Sequence, residues 1–263
     1  MSGTGTALRI AALTLAMAIP ALGQTGEPLT QPAVGSPSPS PLVLDATRFN
    51  GSPDVCLQIN NAVQQMNSMT TNNGVVDARA FTGNQKCATN MFPVDATGKL
   101  LLGNVVLNVS TTQIQPSKFQ VEGTGWSITT TDTNTVMQAC TGAGTYCPGA
   151  LGGTTPTIWC WGSGVMGVAT CGGGIQFGSL TQYVSFDCAG LSGCTAAQAY
   201  STQEGSGCWH CQFRGWGNGG IGLDVCGGTS SCQNSSFLDL FASITNIPRR
   251  ARPLARPGRL PST

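Results

Sequence analysis

Side chains suited to acid–base chemistry collect in the last third of the chain. Asp187, Arg214 and Asp239 fall on predicted strands, and Glu204 lies in a turn after another strand. Hydrolysis of a glycosidic bond needs two carboxyl groups about 5 to 9.5 Å apart. Asp187 and Asp239 are predicted to lie two strands apart, at least about 9.6 Å, which is too wide. The four residues are candidate catalytic groups, with Arg214 as a base or as a partner for a substrate carboxylate.

Each of these candidates also has a plainer interpretation. Asp187 and Arg214 on neighbouring strands could form a surface ion pair, which contributes little to stability. Glu204 could accept backbone hydrogen bonds within its own turn instead of facing a substrate. The sequence leaves these alternatives open.

Polar and aromatic side chains at outward or turn positions are candidate substrate-binding residues. They are Trp216, Gln212, Tyr200 and Asp224. Trp216 lies in a Gly-rich turn, where an exposed indole can stack on a sugar ring. Tyr200 and Asp224 could equally form a plain surface pair. Strand alternation predicts that Trp209, by contrast, points inward beside Cys211.

Twelve cysteines, all after the first 23 residues, indicate disulfides formed in an oxidising compartment. Pairing of sequence neighbours gives Cys56–Cys87, Cys140–Cys147, Cys160–Cys171, Cys188–Cys194, Cys208–Cys211 and Cys226–Cys232. Short loop closures of this kind would fix turns between strands. The connectivity stays open, since sequence alone does not determine it.

The segment Cys208-Trp209-His210-Cys211 has two further interpretations, a thiol redox motif and half of a zinc site. Zinc needs two more ligands, and the chain has no second Cys-x-x-Cys and no second histidine. A redox role requires a thioredoxin-type setting, which the strand pattern does not provide. A structural role is therefore favoured, and we expect no metal site and no evident cofactor.

The composition favours an all-β chain. Charged residues make up only 9% of the sequence, whereas glycine is abundant at 36 residues, which is typical of many short strands joined by tight turns. All eleven acidic residues lie between Glu27 and Asp239, while half of the twelve basic residues lie in the leader or the tail. The body is thus acidic, and we expect no nucleic-acid partner.

The chain begins with a predicted signal peptide over residues 1–23. Arg9 precedes an apolar stretch of about ten residues, too short to span a bilayer, and small residues follow at a cleavage site. A membrane anchor is the alternative, but no later segment is long and apolar enough to span. Residues 24–41 form a Pro/Ser-rich linker, and residues 247–263 a basic, Pro/Arg-rich disordered tail. The mature protein is expected to be secreted, periplasmic or on the cell surface.

Residues 42–246 carry one helix and many short strands. A helix is predicted near 54–68, with Ser52-Pro53-Asp54 as its N-terminal signal and apolar residues at helical spacing. Strands are predicted at 75–78, 100–102, 105–109, 119–123 and 126–128. The polar stretch from Thr129 to Gly153 is predicted to be an excursion outside the core. The amphipathic helix is expected to cap the open end of a β-stack.

Apolar positions recur at regular intervals in the second half of the chain. Phe186, Phe213 and Leu240 are 27 residues apart each time, and Ile175, Ala197 and Ile221 are 22 and 24 apart. Two strands per repeat of 20 to 30 residues are the signature of a solenoid. In this register Val184, Cys211 and Leu238 also stack inward, while Ser185, Asp187, Gln212, Arg214 and Asp239 point outward.

These segments resemble the pectate-lyase-like family of secreted bacterial proteins. The resemblance rests on Asp45-Ala46-Thr47-Arg48-Phe49, the capping helix, Gly74-Val75-Val76-Asp77-Ala78, and the turn that follows Phe119-Gln120-Val121-Glu122. Gln203-Glu204-Gly205-Ser206-Gly207 and Gly220-Ile221-Gly222-Leu223 are similar as well. It implies an all-β, right-handed parallel β-helix, a solenoid, over residues 42–246. The tail at 247–263 breaks the pattern, so a solenoid truncated at its C-terminus is one interpretation.

The family implies a protein that binds or degrades polysaccharide, as a lyase or a glycoside hydrolase. Against an enzyme, the chain lacks the Asn-Thr-Asp strand, the Asp-Asp pair and the His-Gly motif of the family's hydrolases. It also lacks a cluster of acids that would hold calcium, the cofactor that the resemblance to lyases implies. The alternative is a non-catalytic extracellular solenoid of structural or adhesin-like type.

Overall fold

The computed structural model describes residues 42–69, 74–125, 134–153, 155–162, 171, 176–199, 202–203, 206–225, 236–238 and 241–243. The predicted signal peptide, linker and basic tail lie outside these ranges. So do the predicted strand at 126–128 and the Cys226–Cys232 pair.

The described residues are mostly β-structure, with one α-helix. In chain order the elements are β1 (Val43–Asp45), a 3₁₀ helix (Ala46–Arg48), α1 (Val55–Met69), β2 (Val75–Ala78), β3 (Gly83–Cys87), β4 (Gly98–Leu102), β5 (Val105–Val109), β6 (Gln113–Gln115), β7 (Phe119–Glu122), β8 (Val136–Ala139), β9 (Thr157–Trp161), β10 (Gln176–Phe177), β11 (Leu180–Gln182), β12 (Ser185–Asp187), β13 (Thr195–Ala199), β14 (Thr202–Gln203), β15 (Gly207–Trp209), β16 (Gln212–Arg214), β17 (Ile221–Val225), β18 (Ser236–Leu238) and β19 (Phe241–Ser243). The predicted helix and the strands at 75–78 and 105–109 are confirmed.

All the strand pairs in these ranges are parallel. Sheet A has the order β1-β2-β4-β7-β11-β15-β18, sheet B the order β3-β5-β8-β12-β16-β19, and sheet C the order β6-β9-β13-β17, while β10 pairs with β14. From β4 onward the chain enters sheets A, B and C in the same order again and again. Equivalent residues of successive passes therefore lie side by side.

The predicted 27-residue repeat holds in part. Phe186 pairs with Phe213 as expected, but the next partner of Phe213 is Ala242, so the predicted register through Leu240 is wrong. Leu240 itself lies outside the described residues. The prediction failed because two more residues separate β16 from β19 than separate β12 from β16.

Two other predicted equivalences are also wrong. Ala197 pairs with Leu223, not with Ile221, whose partner is Thr195. Leu238 belongs to sheet A and pairs with Trp209, whereas Val184 and Cys211 are buried just before strands of sheet B. Segment 209–213 is two strands with a corner at His210, where φ is +52°, so a single alternation does not run through it. Ile175 lies outside the described residues.

Aromatic rings join successive passes of the chain inside the core. The ring of Phe92 contacts Phe119 and Trp159 edge-on, at centroid distances of 5.2 and 5.4 Å. Trp159 contacts Phe186 at 5.5 Å, and Phe186 stacks on Phe213 at 5.5 Å. Each ring is buried, so the side-chain row stabilises the stack by removing apolar surface from water.

Gln115 is a fully buried polar residue within this apolar interior. Its Oε1 accepts hydrogen bonds from Thr181 Oγ1 (2.6 Å) and Trp159 Nε1 (3.2 Å). Its Nε2 donates to the carbonyls of Phe119 (2.8 Å) and Leu180 (3.2 Å). The buried groups are thereby satisfied, as the interior of a protein requires.

Helix α1 packs its apolar face on β1, β2 and β3, the first strands of sheets A and B. Its N-cap is Asp54, not the predicted Ser52. The buried Asp54 carboxylate accepts hydrogen bonds from Cys56 N (3.1 Å), Ala88 N (3.1 Å) and Thr89 Oγ1 (2.7 Å). One carboxylate thus caps the helix and ties it to the chain that follows β3.

Five of the six predicted disulfides are confirmed. They are Cys56–Cys87, Cys140–Cys147, Cys160–Cys171, Cys188–Cys194 and Cys208–Cys211. Such a set is typical of an oxidising compartment. Within the described part of the chain, no helix is both long and apolar enough to cross a bilayer.

The prediction that residues 129–153 lie outside the core is wrong for part of that range. Residues 136–139 form β8 in the middle of sheet B, between β5 and β12. Met137 is fully buried there and lies between Leu107 and Phe186. Only the segment after β8 leaves the sheet.

Candidate functional site

The outer face of sheet B carries a row of polar side chains, one from each of five neighbouring strands. The residues of this polar row are Lys86, Asn108, Gln138, Asp187 and Arg214, paired in register from β3 to β16. Neighbouring strands lie about 4.8 Å apart, so the row extends over about 19 Å. It is a regular array of hydrogen-bonding groups across the strands.

The polar row faces outward because strand side chains alternate between the two faces of a sheet. The preceding residue on each of four strands belongs to the core: Leu107, Met137, Phe186 and Phe213. We call these four the inner row. Burial of the inner row fixes the register of sheet B and thereby the outward direction of the polar row.

A cleft of about 410 Å³ lies over the middle of the polar row. Asn108 and Gln138 lie in its floor, and residues 140–147, the disulfide loop, form one wall. The loop is closed by Cys140–Cys147 and by two backbone hydrogen bonds between Gly144 and Cys147 (2.7 and 3.3 Å). Tyr146, 43% exposed, belongs to this wall.

The amides of the cleft floor differ in how far the protein itself uses them. Asn108 donates through Nδ2 to Gln85 O (3.1 Å) and more weakly to Val106 O (3.4 Å). No hydrogen bond of the Gln138 side chain occurs among the described residues, and Gln138 is only partly buried. Gln138 thus offers a donor and an acceptor to a ligand in the cleft.

Two of the predicted catalytic residues, Asp187 and Arg214, lie together. Arg214 Nε donates to Asp187 Oδ2 at 2.8 Å, and Ala189 N donates to Asp187 Oδ1 at 2.8 Å. A Cβ at Gly215, where φ is +70°, would lie 2.1 Å from Asp187 Oδ1, so glycine is required there. Both carboxylate oxygens are already bonded, as the ion-pair interpretation expects.

Gln212, predicted to bind substrate, is buried and not available at the surface. It points to the outer side by alternation but accepts a hydrogen bond from Ser185 Oγ (3.1 Å), which is fully buried as well. The expectation that both are exposed is wrong because outward position on a strand does not ensure contact with solvent.

The remaining predicted site residues are scattered or lie outside the described ranges. Trp216 is half-buried, and its indole packs on Gly222, where an added Cβ would lie 2.8 Å from Cζ3. Asp224 accepts a hydrogen bond from Gln198 Nε2 (3.2 Å). Glu204, Asp239 and Tyr200 lie outside the described residues.

Trp209 lies on the outer face of sheet A and is only half-buried, so the prediction that it points inward is wrong. Cys208 takes the inward position, with zero exposure. The next residue, His210, stacks on Tyr183 of the preceding pass, with ring centroids 4.9 Å apart and planes within 2°. Sequence reasoning missed this stack, although the two residues share the 27-residue spacing of Phe186 and Phe213.

A second cleft, of about 850 Å³, contains two register-paired aspartates, Asp45 and Asp77. Hydrogen bonds from Thr47 lower the pKa of Asp45, and the Arg79 side chain lowers that of Asp77 through a two-point contact (3.0 and 2.7 Å). Both carboxyls thus stay ionised at neutral pH, and neither is suited to donate a proton as a general acid.

Within the described ranges, no group of three or more histidine, cysteine or acidic residues is placed to hold a metal ion. Comparison with protein-family models, with curated proteins and with solved structures found no match for this chain. The candidate site therefore rests on its own geometry.

Proposed function

We infer that sheets A, B and C are the faces of a right-handed parallel β-helix. The repeated order of the three sheets and the parallel pairing of their strands support a coil that advances by one strand spacing per turn. Connections between parallel strands are nearly always right-handed, which supports the hand. The capping position of α1 and the sequence resemblance to pectate-lyase-like proteins fit the same architecture.

Polysaccharide binding is the function we propose for this coil, along the polar row of sheet B. The observation that carries the proposal is the row itself: hydrogen-bonding side chains repeat at the strand spacing, about 4.8 Å, which is close to the length of one sugar unit in an extended chain. A polymer lying across the strands meets one such side chain at each unit. The disulfide loop and Tyr146 form a wall that could contact sugar rings.

The ligand we propose is a neutral polysaccharide. The floor of the cleft is formed by amides, which bind hydroxyl groups, and the flanking Asp187 and Arg214 neutralise each other. Lys86 is the one remaining charge of the polar row. A polyuronate would find no pair of free cations at this site.

We propose binding without cleavage. Asp187 is held by Arg214 and Ala189 N, and no second acid belongs to the polar row. Export is part of the proposal too, supported by the predicted signal peptide and the five disulfides. The protein would then act as a non-catalytic extracellular glycan-binding solenoid.

The test is titration of the purified protein with neutral polymers (glucan, xylan, mannan) and with polygalacturonate. We expect saturable binding to at least one neutral polymer, about tenfold weaker in Gln138→Ala, the loss of roughly 1.4 kcal/mol. Gln120→Ala is the matched control, because Gln120 is an exposed glutamine on the outer face of sheet A. Equal losses in both variants, or binding to no polymer, would refute the proposal.

Catalysis is tested on the same panel. We expect no new reducing ends and no unsaturated uronides after prolonged incubation. A product that disappears in Asp187→Asn would overturn the non-catalytic assignment and restore Asp187 as a catalytic residue.

A further inference from the structure

We propose a second carbohydrate-binding site, at the corner where the chain leaves sheet A for sheet B. Its residues are Tyr183 and His210, which stack on each other, and Trp209, which precedes the corner. Its ligand would be a sugar ring that places an apolar face on the exposed Tyr183 ring. The proposal concerns a site separate from the polar row, on another edge of the same coil.

The corner is unusual because its local geometry does not favour the residues found there. Tyr183 and His210 both have left-handed backbone conformations, with φ of +57° and +52°. Bulky residues adopt such angles rarely and at an energetic cost, and glycine is the usual choice. Retained aromatic residues at two equivalent positions suggest that the rings serve a purpose other than the turn.

Trp209 adds a second exception at the same corner. Its Nε1 is buried and has no hydrogen-bond partner in the part of the chain that the structure describes. Most buried donors in proteins are satisfied, and exceptions call for an explanation. Three neighbouring residues thus each depart from what folding alone favours.

The exposed part of the corner matches a sugar ring. Tyr183 is 36% exposed, so part of its ring is open to solvent beside the half-buried Trp209. Gln182, paired with Trp209 on the outer face of sheet A, places an amide next to the rings. A pyranose offers the complementary combination, an apolar face for the aromatic ring and hydroxyl groups for the amide.

The experiment uses His210 as its reporter, because it is the only histidine in the chain. Neutral hexasaccharides of glucose, xylose and mannose are titrated into the full protein while the imidazole signals of His210 are followed by NMR. We expect a saturable shift with at least one sugar. In Tyr183→Ala the apparent affinity at this reporter should fall about tenfold, near the upper range for aromatic stacking.

Three controls separate this site from the polar row and from misfolding. Tyr183→Phe keeps the ring and should retain the shift, and Gln138→Ala should retain it while weakening polymer binding. No shift with any sugar, an unchanged affinity in Tyr183→Ala, or loss of the shift in Gln138→Ala would overturn the proposal. A tryptophan-containing peptide that moves the signals when no sugar does would overturn it as well.

Discussion

The inner row and the polar row of sheet B are one residue apart on the same strands, yet they differ in almost every physical respect. Leu107, Met137 and Phe186 are fully buried, while Gln138 and Asp187, on two of the same strands, retain contact with solvent. The backbone hydrogen bonds and the strand spacing are common to both rows. Which face a side chain takes therefore decides whether its contribution is to stability or to recognition.

The comparison predicts opposite effects for the two rows. Truncation in the inner row should lower the free energy of unfolding, because it opens a cavity between successive passes. Truncation in the polar row should leave stability nearly unchanged, since exposed substitutions usually stay within about 0.5 kcal/mol.

The largest effect is expected for Phe186→Ala. Phe186 contacts Phe213 and Trp159 at centroid distances of 5.5 Å, so its loss disconnects two passes of the core. We expect a destabilisation of about 3–5 kcal/mol in denaturant unfolding, against less than about 0.5 kcal/mol for Gln138→Ala. Similar losses for the two variants would contradict the assignment of the rows.

The second effect compares two glutamines, one inside and one outside. Gln115→Ala removes the acceptor of Thr181 Oγ1 and Trp159 Nε1 and leaves both buried groups without it. We expect about 2–3 kcal/mol of destabilisation, because an unsatisfied buried group costs its full desolvation. Thermal unfolding of Gln115→Ala beside Gln138→Ala measures the difference, and a smaller loss for Gln115→Ala would show that its network is dispensable.

The third effect concerns the wall of the cleft. Replacement of Cys140 and Cys147 by serine opens the disulfide loop of residues 140–147. We expect a destabilisation of about 2 kcal/mol, from the chain entropy of a short loop, together with loss of polymer binding. Removal of Cys188–Cys194, which closes a loop of similar length, is the control, and it should leave binding intact. Retained binding in the Cys140/Cys147 variant would exclude the loop from the site.

The smallest effect is a change in pH dependence at Asp77. Arg79 lowers the pKa of Asp77 in the folded protein, so the pair stabilises the fold above the unfolded value of about 3.9. That contribution is lost as the pH falls through the lowered pKa. In melting experiments from about pH 6 to about pH 2, Asp77→Asn should lose less stability than the wild type, by at most about 1 kcal/mol. Identical acid sensitivity would mean that the exposed pair contributes nothing.

Much of the fold could be predicted from local patterns. The cysteines of the five described disulfides are close in sequence, and pairing neighbours was sufficient. The apolar spacing of Val55, Ile59, Val63 and Met66 was sufficient for α1. Phe186 and Phe213 were paired correctly because both their strands and the connection between them keep the same length.

The errors arose where connections change length or where burial is not visible in the pattern. The extra residues between β16 and β19 shifted the register from Leu240 to Ala242. The strand β8 was missed because it is short and follows a run of threonines. Gln212 was expected at the surface, yet alternation gives only the direction of a side chain and not what covers it. The cleft was missed because its floor and wall come from separate passes.

Parallel titration and unfolding of Gln138→Ala and Phe186→Ala test the account most directly. We predict that Gln138→Ala binds neutral polysaccharide about tenfold more weakly, a change of 1.4 kcal/mol, with an unchanged melting temperature. Phe186→Ala should melt far lower but bind as tightly as the wild type while it is still folded. A polar-row variant that loses stability instead of affinity would contradict the division of sheet B into a face that folds and a face that binds.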